Sequence, residues 1–336
     1  MKPSVIFSPA PQLRDRIFTP RTLAIFRDRY HVLDLEERPE LDLAEHLPHA
    51  FAVVGQPDLD TAALESAREL RVIVNVEGNF FPNVDYLTAF RRGVRVLGCG
   101  TAYSGAVSEY ALGLALDLAR GISREDRAAR RGEERYFGAG NGDSILLSHA
   151  NIGILGFGNL GRATAELLGP FRPRLRVYDP WLPDSVIETF GAESCGLDET
   201  LQRSDILFVF ATATAESTHL LDGRALALLP EGARLVLVSR AAVVDYSALL
   251  AELSSGRLSA AIDVWPEEPL HPESPMRKLD NVILSAHRAG GIPQAYALIG
   301  EMVVDDLALI ERGLAPVRLQ QASPELVGRY RNRPVT

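Results

Sequence analysis

Apolar residues occur along most of the chain in short, near-continuous runs, and these runs are separated by longer stretches rich in helix-forming residues. A strand that is apolar on successive positions is typical of a parallel sheet covered on both faces. The runs that we interpret as strands are residues 5–7, 31–35, 52–54, 72–74, 94–97, 152–155, 175–179, 206–210, 235–238, 260–262 and 282–284.

Helical spacing of apolar residues predicts the elements between these strands. The segment from Ser104 is apolar on most of its sides, which predicts a buried helix. We expect a broken helix and loop over 123–148 and a polar tail after Arg312. The predicted helices are residues 59–70, 86–92, 104–120, 162–168, 197–202, 217–229, 247–253 and 295–312. Alternating strands and helices indicate an α/β protein.

The run at 152–155 opens into Gly156, Gly158 and Gly161, which have G-x-G-x-x-G spacing and precede a predicted helix. Such glycines allow a tight turn, close approach of a pyrophosphate and close helix packing. Asp179 ends the next strand, 18 positions after Gly161, where an acid binds the adenosine ribose and repels a 2'-phosphate. We therefore expect NAD rather than NADP. The alternative is a purely structural interpretation, in which the glycines form a common turn and Asp179 is a turn residue.

Length and composition fit a globular protein of about two domains, with 336 residues and a formal charge of -9. The negative charge argues against a nucleic-acid or anionic-membrane surface. Only Cys99 and Cys195 are present, which makes neither a disulfide framework nor a metal-ligand cluster. We expect no metal. Without an apolar leader or a membrane-spanning run, a cytoplasmic setting is expected.

Three chemically useful residues follow predicted strands, namely Arg240, Glu268 and His287. Ligands of parallel α/β sheets bind beyond the carboxyl ends of the strands, so these positions fall on the dinucleotide side. Each could be structural: a surface ion-pair partner, a solvated loop acid or a half-buried imidazole. Together they suit carbonyl reduction, because a guanidinium binds a carboxylate in bidentate fashion and an acid-paired histidine supplies a proton.

With these motifs, the chain resembles the D-isomer-specific 2-hydroxyacid dehydrogenase family over most of its length. The resemblance implies that Arg240 holds the substrate carboxylate and carbonyl, that His287 is the acid/base and that Glu268 pairs with it. The motifs that carry the resemblance are residues 156–161, 177–179, 204–205, 238–240, 244–245, 261–269 and 285–290. Ala241 and Ala286 stand where the family usually has glycine and proline.

The resemblance also implies a set of residues that contact NAD. Among them, Asp263 would approach the nicotinamide carboxamide. The expected cofactor-binding residues are Gly156, Gly158, Asn159, Leu160, Gly161, Asp179, Ala211, Thr218, Ser239, Asp263 and Gly290.

The expected substrate-binding residues are Gly78, Asn79, Phe80 and Arg240. Asn79 and Phe80 align with a small residue and a glycine whose backbone amides usually hold the substrate carboxylate. Phenylalanine adopts positive φ at a cost, so we expect this loop to be reshaped. The loop around Phe80 and Phe81 could be a binding loop or a satellite of the core.

For the fold, the resemblance implies a Rossmann nucleotide domain, residues 104–291, inserted into a smaller flavodoxin-like substrate domain formed by 1–103 and 292–336. The helix from Ser104 resembles the one with which family members form a homodimer. The other expected partner is a small 2-oxo or 2-hydroxy acid, with neither nucleic acid nor membrane.

The predicted function is NAD-dependent interconversion of a 2-oxo acid and a D-2-hydroxy acid, with hydride from NADH and a proton from His287. The alternative is a non-catalytic NAD(H)-sensing regulator on the same fold, against which the joint presence of Arg240, Glu268 and His287 argues. A formate-dehydrogenase-like enzyme would have glutamine in place of Glu268.

Overall fold

The computed structural model describes residues 2–78 and 80–330 and divides into two compact units. The first unit is formed by residues 1–103 together with 291–336, and the second by the continuous segment 104–290. The observed division thus assigns Gly291 to the first unit, one residue away from the expected boundary.

The strands, in chain order, are β1 (Ser4–Ser8), β2 (His31–Asp34), β3 (Ala50–Gly55), β4 (Val72–Asn75), β5 (Arg95–Gly98), β6 (Asn151–Leu155), β7 (Arg174–Tyr178), β8 (Glu193–Ser194), β9 (Ile206–Val209), β10 (Arg234–Leu237), β11 (Ser259–Ile262), β12 (Val282–Leu284) and β13 (Gln320–Gln321). The α-helices are α1 (Arg14–Ile17), α2 (Pro20–Arg29), α3 (Leu43–His46), α4 (Thr61–Ser66), α5 (Tyr86–Arg91), α6 (Ser104–Arg120), α7 (Ile122–Arg131), α8 (Asn159–Leu168), α9 (Asp184–Glu188), α10 (Leu197–Gln202), α11 (Gly223–Leu228), α12 (Tyr246–Ser254), α13 (Pro293–Glu311) and α14 (Pro324–Tyr330).

The first unit contains a sheet of order β13-β5-β4-β3-β1-β2. Strands β1 to β5 are parallel to one another, and their order in the sheet is that of flavodoxin-like sheets. The short β13 pairs antiparallel with β5, so a segment near the end of the described chain completes a sheet begun at Ser4. The expected flavodoxin-like architecture is confirmed.

The second unit contains a parallel sheet of order β12-β11-β10-β9-β6-β7-β8. Renumbered within this unit, the first six strands have the Rossmann order 3-2-1-4-5-6, with β12 added at one edge. The strand order reverses between β6 and β9, and a dinucleotide binds at such a reversal. The expected Rossmann fold is confirmed.

Both faces of the first sheet are buried, which explains its uninterrupted apolar strands. Val5 and Phe7 of β1 enter one apolar cluster together with residues of α13, whereas Ile6 enters the cluster on the opposite face. In the second unit, strands β9, β10 and β11 contribute to one large cluster around Leu207, Leu235 and Ile262.

Three predicted elements differ from the structure. The helix expected over 59–70 is limited to α4. The helix expected over 217–229 is limited to α11, because Ser217 and Thr214 bond to each other and close a turn instead. Side-chain hydroxyls that bond to nearby backbone compete with helix formation in this way. The expected polar tail contains β13 and α14. Within the described residues, no helix combines the length and apolar composition that a bilayer crossing requires.

A buried carboxylate fixes the segment that leads into β13. Asp306 of α13 is 0% exposed, and its two oxygens accept the backbone N–H groups of Val317, Arg318 and Leu319 at 2.7–3.3 Å. These donors satisfy a charge that would otherwise be buried at high cost. The returning segment is therefore tied to the helix that covers the first sheet.

We expect Asp306→Ala to lower the free energy of unfolding by about 3 kcal/mol, because several buried N–H groups lose their acceptor. Urea denaturation measures this change, and hydrogen exchange at residues 317–319 should accelerate with it. The matched control is Asp305→Ala, which removes an exposed ion pair with Arg318 and should cost less than about 1 kcal/mol. Equal losses in the two variants would contradict the assigned role of Asp306.

Candidate active site

The glycine turn after β6 has the backbone geometry that the sequence pattern predicts. Gly156 has φ +87°, and a Cβ there would lie 2.7 Å from the backbone nitrogen of Ala211. A Cβ at Gly161 would lie 2.5 Å from the Gly156 carbonyl oxygen. Positive φ and close backbone approach both require glycine. The turn thus brings α8 against the end of β6 and places Phe210 and Ala211, which follow β9, beside them.

Gly158 serves a different purpose. It precedes α8, and a Cβ at this position would meet nothing within 4 Å. The space in front of the ten-residue α8 is therefore open. The backbone N–H groups of Asn159 and Leu160 lie in the first turn of this helix. A helix N-terminus with free N–H groups and a positive dipole end suits a pyrophosphate. These residues fit the phosphates of a dinucleotide.

Asp179 lies directly after β7 and is tied to the same turn. Its Oδ2 accepts the N–H of Phe157 at 2.7 Å, and its Oδ1 accepts the N–H of Trp181 at 2.9 Å. The side chain remains partly exposed, and each carboxylate oxygen has a second lone pair for a ribose hydroxyl. The carboxylate is thus fixed beside the glycine turn, and its contact with the adenosine ribose stays a prediction.

The remaining expected cofactor residues differ in their surroundings. The Ser239 hydroxyl is buried and has no hydrogen-bond partner among the described residues, so a ligand there would satisfy it. Thr218 is exposed and donates its hydroxyl to the Thr214 carbonyl at 2.7 Å. Gly290 follows the loop that carries His287. Direct contacts of these residues with NAD stay predictions.

Asp263 organises that loop. It is 0% exposed, and its carboxylate accepts the backbone N–H groups of Arg288 and Ala289 at 2.9 and 3.1 Å and the hydroxyl of Ser285. Its own carbonyl accepts the N–H of His287 at 2.7 Å. The expected contact with nicotinamide stays a prediction. The structure gives Asp263 a positioning role that the motif does not express.

His287 lies in the left-handed region with φ 52°, a conformation that L residues adopt at a cost. The bonds from the flanking residues to Asp263 maintain this conformation. As a result, His287 Nδ1 lies 2.8 Å from Glu268 Oε2. No described residue hydrogen-bonds the other ring nitrogen, Nε2, and the side chain is 49% exposed.

Glu268 is held from both sides. Its second oxygen accepts the N–H of Trp265 at 3.0 Å. Partial burial by itself raises the pKa of this carboxyl, but the bonds from His287 and Trp265 and the charges of His287 and Arg240 outweigh it, so the pKa lies below its usual value. Glu268 is therefore ionised at neutral pH. Arg240 is exposed and donates to its neighbouring Ser239 carbonyl at 2.7 Å.

The Phe80 side chain of the expected substrate loop lies in the core of the first unit. Phe80 is 5% exposed and packs edge-to-face on Tyr86, with ring centroids 6.4 Å apart, so it belongs to the core. Gly98 leaves room for its ring, because a Cβ there would lie 3.3 Å from Phe80. Gly78 is half-buried, and Asn79 lies outside the described residues. Whether their backbone amides contact substrate stays a prediction.

Residue patterns alone did not reveal the support of the histidine loop. Ser285 bonds both Asp263 and the hydroxyl of Tyr110, the latter at 2.7 Å, and Trp265 Nε1 donates to the Ser285 carbonyl at 2.8 Å. The signal available in the sequence was the polar Ser285 directly after an apolar strand.

Comparison with known proteins agrees with this geometry. The family model described as D-isomer specific 2-hydroxyacid dehydrogenase, NAD binding domain, matches residues 112–289. Glyoxylate reductase of Thermofilum pendens is 32% identical over 270 residues, which cover 78% of each chain. D-3-phosphoglycerate dehydrogenase of Archaeoglobus fulgidus is 28% identical over 82% of this chain, which spans only 52% of that relative.

A solved structure is also similar over nearly the whole chain. The crystal structure of a phosphoglycerate oxidoreductase from Rhizobium etli is 40% identical, with a TM-score of 0.88, and the alignment covers 96% of this chain and 99% of that chain. The cofactor of the matched domain is NAD, which the glycine turn fits. The chain belongs to the D-isomer specific 2-hydroxyacid dehydrogenase family.

Proposed function

We propose that the protein reversibly reduces a 2-oxo acid to a D-2-hydroxy acid. NADH supplies the hydride that reaches the carbonyl carbon. His287 Nε2 donates the proton to the carbonyl oxygen, and Arg240 binds the carboxylate and opposes the negative charge that develops on that oxygen.

The observation that carries this proposal is the contact between His287 and Glu268. An ionised carboxylate 2.8 Å from Nδ1 fixes the ring with Nδ1 as a donor. Nε2 then remains for the substrate. This orientation supports the assignment of His287 as the general acid, because one ring nitrogen is held and the other is left for proton transfer.

The proposed substrate class is small 2-oxo acids. Relatives named glyoxylate reductase and D-3-phosphoglycerate dehydrogenase differ in the tail attached to the oxo-acid group, but both names describe 2-oxo or 2-hydroxy acid chemistry. The common group is the one that Arg240 and His287 would hold. A panel that includes glyoxylate, hydroxypyruvate and bulkier 2-oxo acids identifies the preferred tail.

The paired His287 and Glu268 favour an enzyme over a non-catalytic regulator, because a sensor needs no proton donor.

We further propose that the protein forms a homodimer through α6 and works in the cytoplasm. Half-buried Leu112 and Leu116 on α6 support the dimer, since they offer apolar surface for a second copy.

We expect His287→Gln to reduce kcat for every accepted 2-oxo acid by about a thousandfold, because the general acid is lost. Loss of NADH absorbance measures the rate, and NADH fluorescence should show unchanged cofactor binding. The matched control is His271→Gln, which changes an exposed histidine bonded to the N–H of Glu273 and should retain turnover. Wild-type turnover of any substrate by His287→Gln would refute the assignment.

For Glu268→Gln, we expect kcat for every accepted 2-oxo acid to fall at least tenfold, because Nδ1 of His287 loses the carboxylate that fixes it as a donor. Loss of NADH absorbance measures the rate. The matched control is Glu267→Gln, at the exposed neighbouring acid, which should retain turnover. Equal kcat values for Glu268→Gln and the wild type would contradict the pairing.

Asp179→Asn should reduce the preference for NADH over NADPH at least tenfold, about 1.4 kcal/mol, because charge repulsion of the 2'-phosphate is removed. The ratio of kcat/KM values for the two cofactors is the measurement. Asp184→Asn, at an exposed acid bonded to Ser194, provides the control and should leave the ratio unchanged. A wild-type preference for NADPH would overturn the role of Asp179.

A further inference from the structure

The first unit contains a second candidate site at the opposite end of its sheet from Gly78. A cavity of about 1260 Å³ opens where the parallel strands begin, and it is lined in part by Ser4, His31, Arg71 and Arg95. Ser4, His31 and Arg95 are the first residues of β1, β2 and β5, and Arg71 directly precedes β4. Gly78, in contrast, follows the end of β4. The cavity is therefore separate from the expected substrate loop.

The lining is cationic in an acidic protein. It contains the permanent cations Lys2, Arg68, Arg71 and Arg95 and two acids, so its formal charge is +2 with its histidines neutral, whereas the whole chain carries -9. Clustering of like charges around a concave surface raises the local potential and attracts counter-ions.

Both acids in the lining have cationic or imidazole neighbours. Glu311 bonds Arg29 at 2.8 Å, and Glu69 lies 3.3 Å from Nδ1 of His49. Arg95 donates to the carbonyl of Leu314, a residue that follows α13, at 2.7 Å. These contacts account for part of the lining without a ligand.

Arg68 and Arg71 are not explained in this way. Both guanidinium groups are exposed within the cavity wall, and neither forms a side-chain hydrogen bond or ion pair with any residue in the described part of the chain. Guanidinium groups bind phosphate oxygens in bidentate fashion. Phe51 and Ile310 add apolar surface to the same cavity, which exceeds the space that a single phosphate needs.

We propose that this cavity binds a small molecule carrying a di- or triphosphate group. Arg68 and Arg71 hold the phosphates, and Phe51 and Ile310 contact the organic part. The site is distinct from the NAD turn of the second unit, since its lining residues all belong to the first unit.

Isothermal titration calorimetry of the full chain tests the proposal with inorganic tripolyphosphate as the probe, in saturating NAD⁺ so that the cofactor site is filled. We expect saturable binding of one tripolyphosphate per chain. ATP should bind at least as tightly, because it adds the organic part, and adenosine alone should give no saturable heat.

The double variant Arg68→Gln/Arg71→Gln should weaken both phosphate ligands at least tenfold. Arg21→Gln/Arg174→Gln makes the same change in net charge at two exposed arginines outside the cavity lining and should bind within twofold of the wild type. Unchanged thermal unfolding without ligand shows that each variant is folded.

Two results would overturn the proposal: no saturable binding of tripolyphosphate to the wild type in saturating NAD⁺, or equal binding by the Arg68→Gln/Arg71→Gln variant. If tripolyphosphate binds only when NAD⁺ is omitted, the anion belongs to the cofactor turn. None of these outcomes depends on catalysis, so failure here is distinguishable from failure of the proposed reductase activity.

Discussion

The candidate active site depends on one buried carboxylate. Asp263 collects two backbone N–H groups and a hydroxyl from the loop after β12, and its carbonyl takes a third N–H from His287. Together these bonds hold His287 at positive φ, where its ring reaches Glu268. The backbone of His287 thus orients the proposed proton donor toward Glu268. A buried charge is acceptable here because its partners are numerous and fixed.

The glycine turn and the histidine loop lie at the same sheet but differ in how their backbone conformations are stabilised. At Gly156 and Gly158 side chains are absent, so that backbone can approach backbone and open space remains before α8. At His287 a bulky residue is forced into a conformation that favours glycine, and polar contacts from Asp263 oppose the strain. The expected cofactor site thus depends on the absence of side chains at the glycines, whereas the proposed proton transfer depends on a fixed conformation of His287.

Local signals in the sequence predicted much of this arrangement. Apolar runs located the strands, and the spacing of Gly156, Gly158 and Gly161 located the turn, because strand burial and tight turns restrict nearby residues. The burial of Phe80 could not be read locally, since it depends on Tyr86 and on the space beside Gly98. The bonds of Asp263 likewise join adjacent strands β11 and β12, and residue identity did not reveal which atoms they use.

The route of the chain through the first sheet has a consequence for biosynthesis. Strand β5 is followed by the whole second unit before α13 and β13 return to the first. During translation, the continuous segment 104–290 leaves the ribosome complete while the earlier strands still lack α13, whose Val303 and Leu307 share one apolar cluster with Val5 and Phe7. We infer that the second unit folds first. The first unit keeps apolar surface exposed until α13 is synthesised, which makes it the aggregation-prone part of the nascent chain.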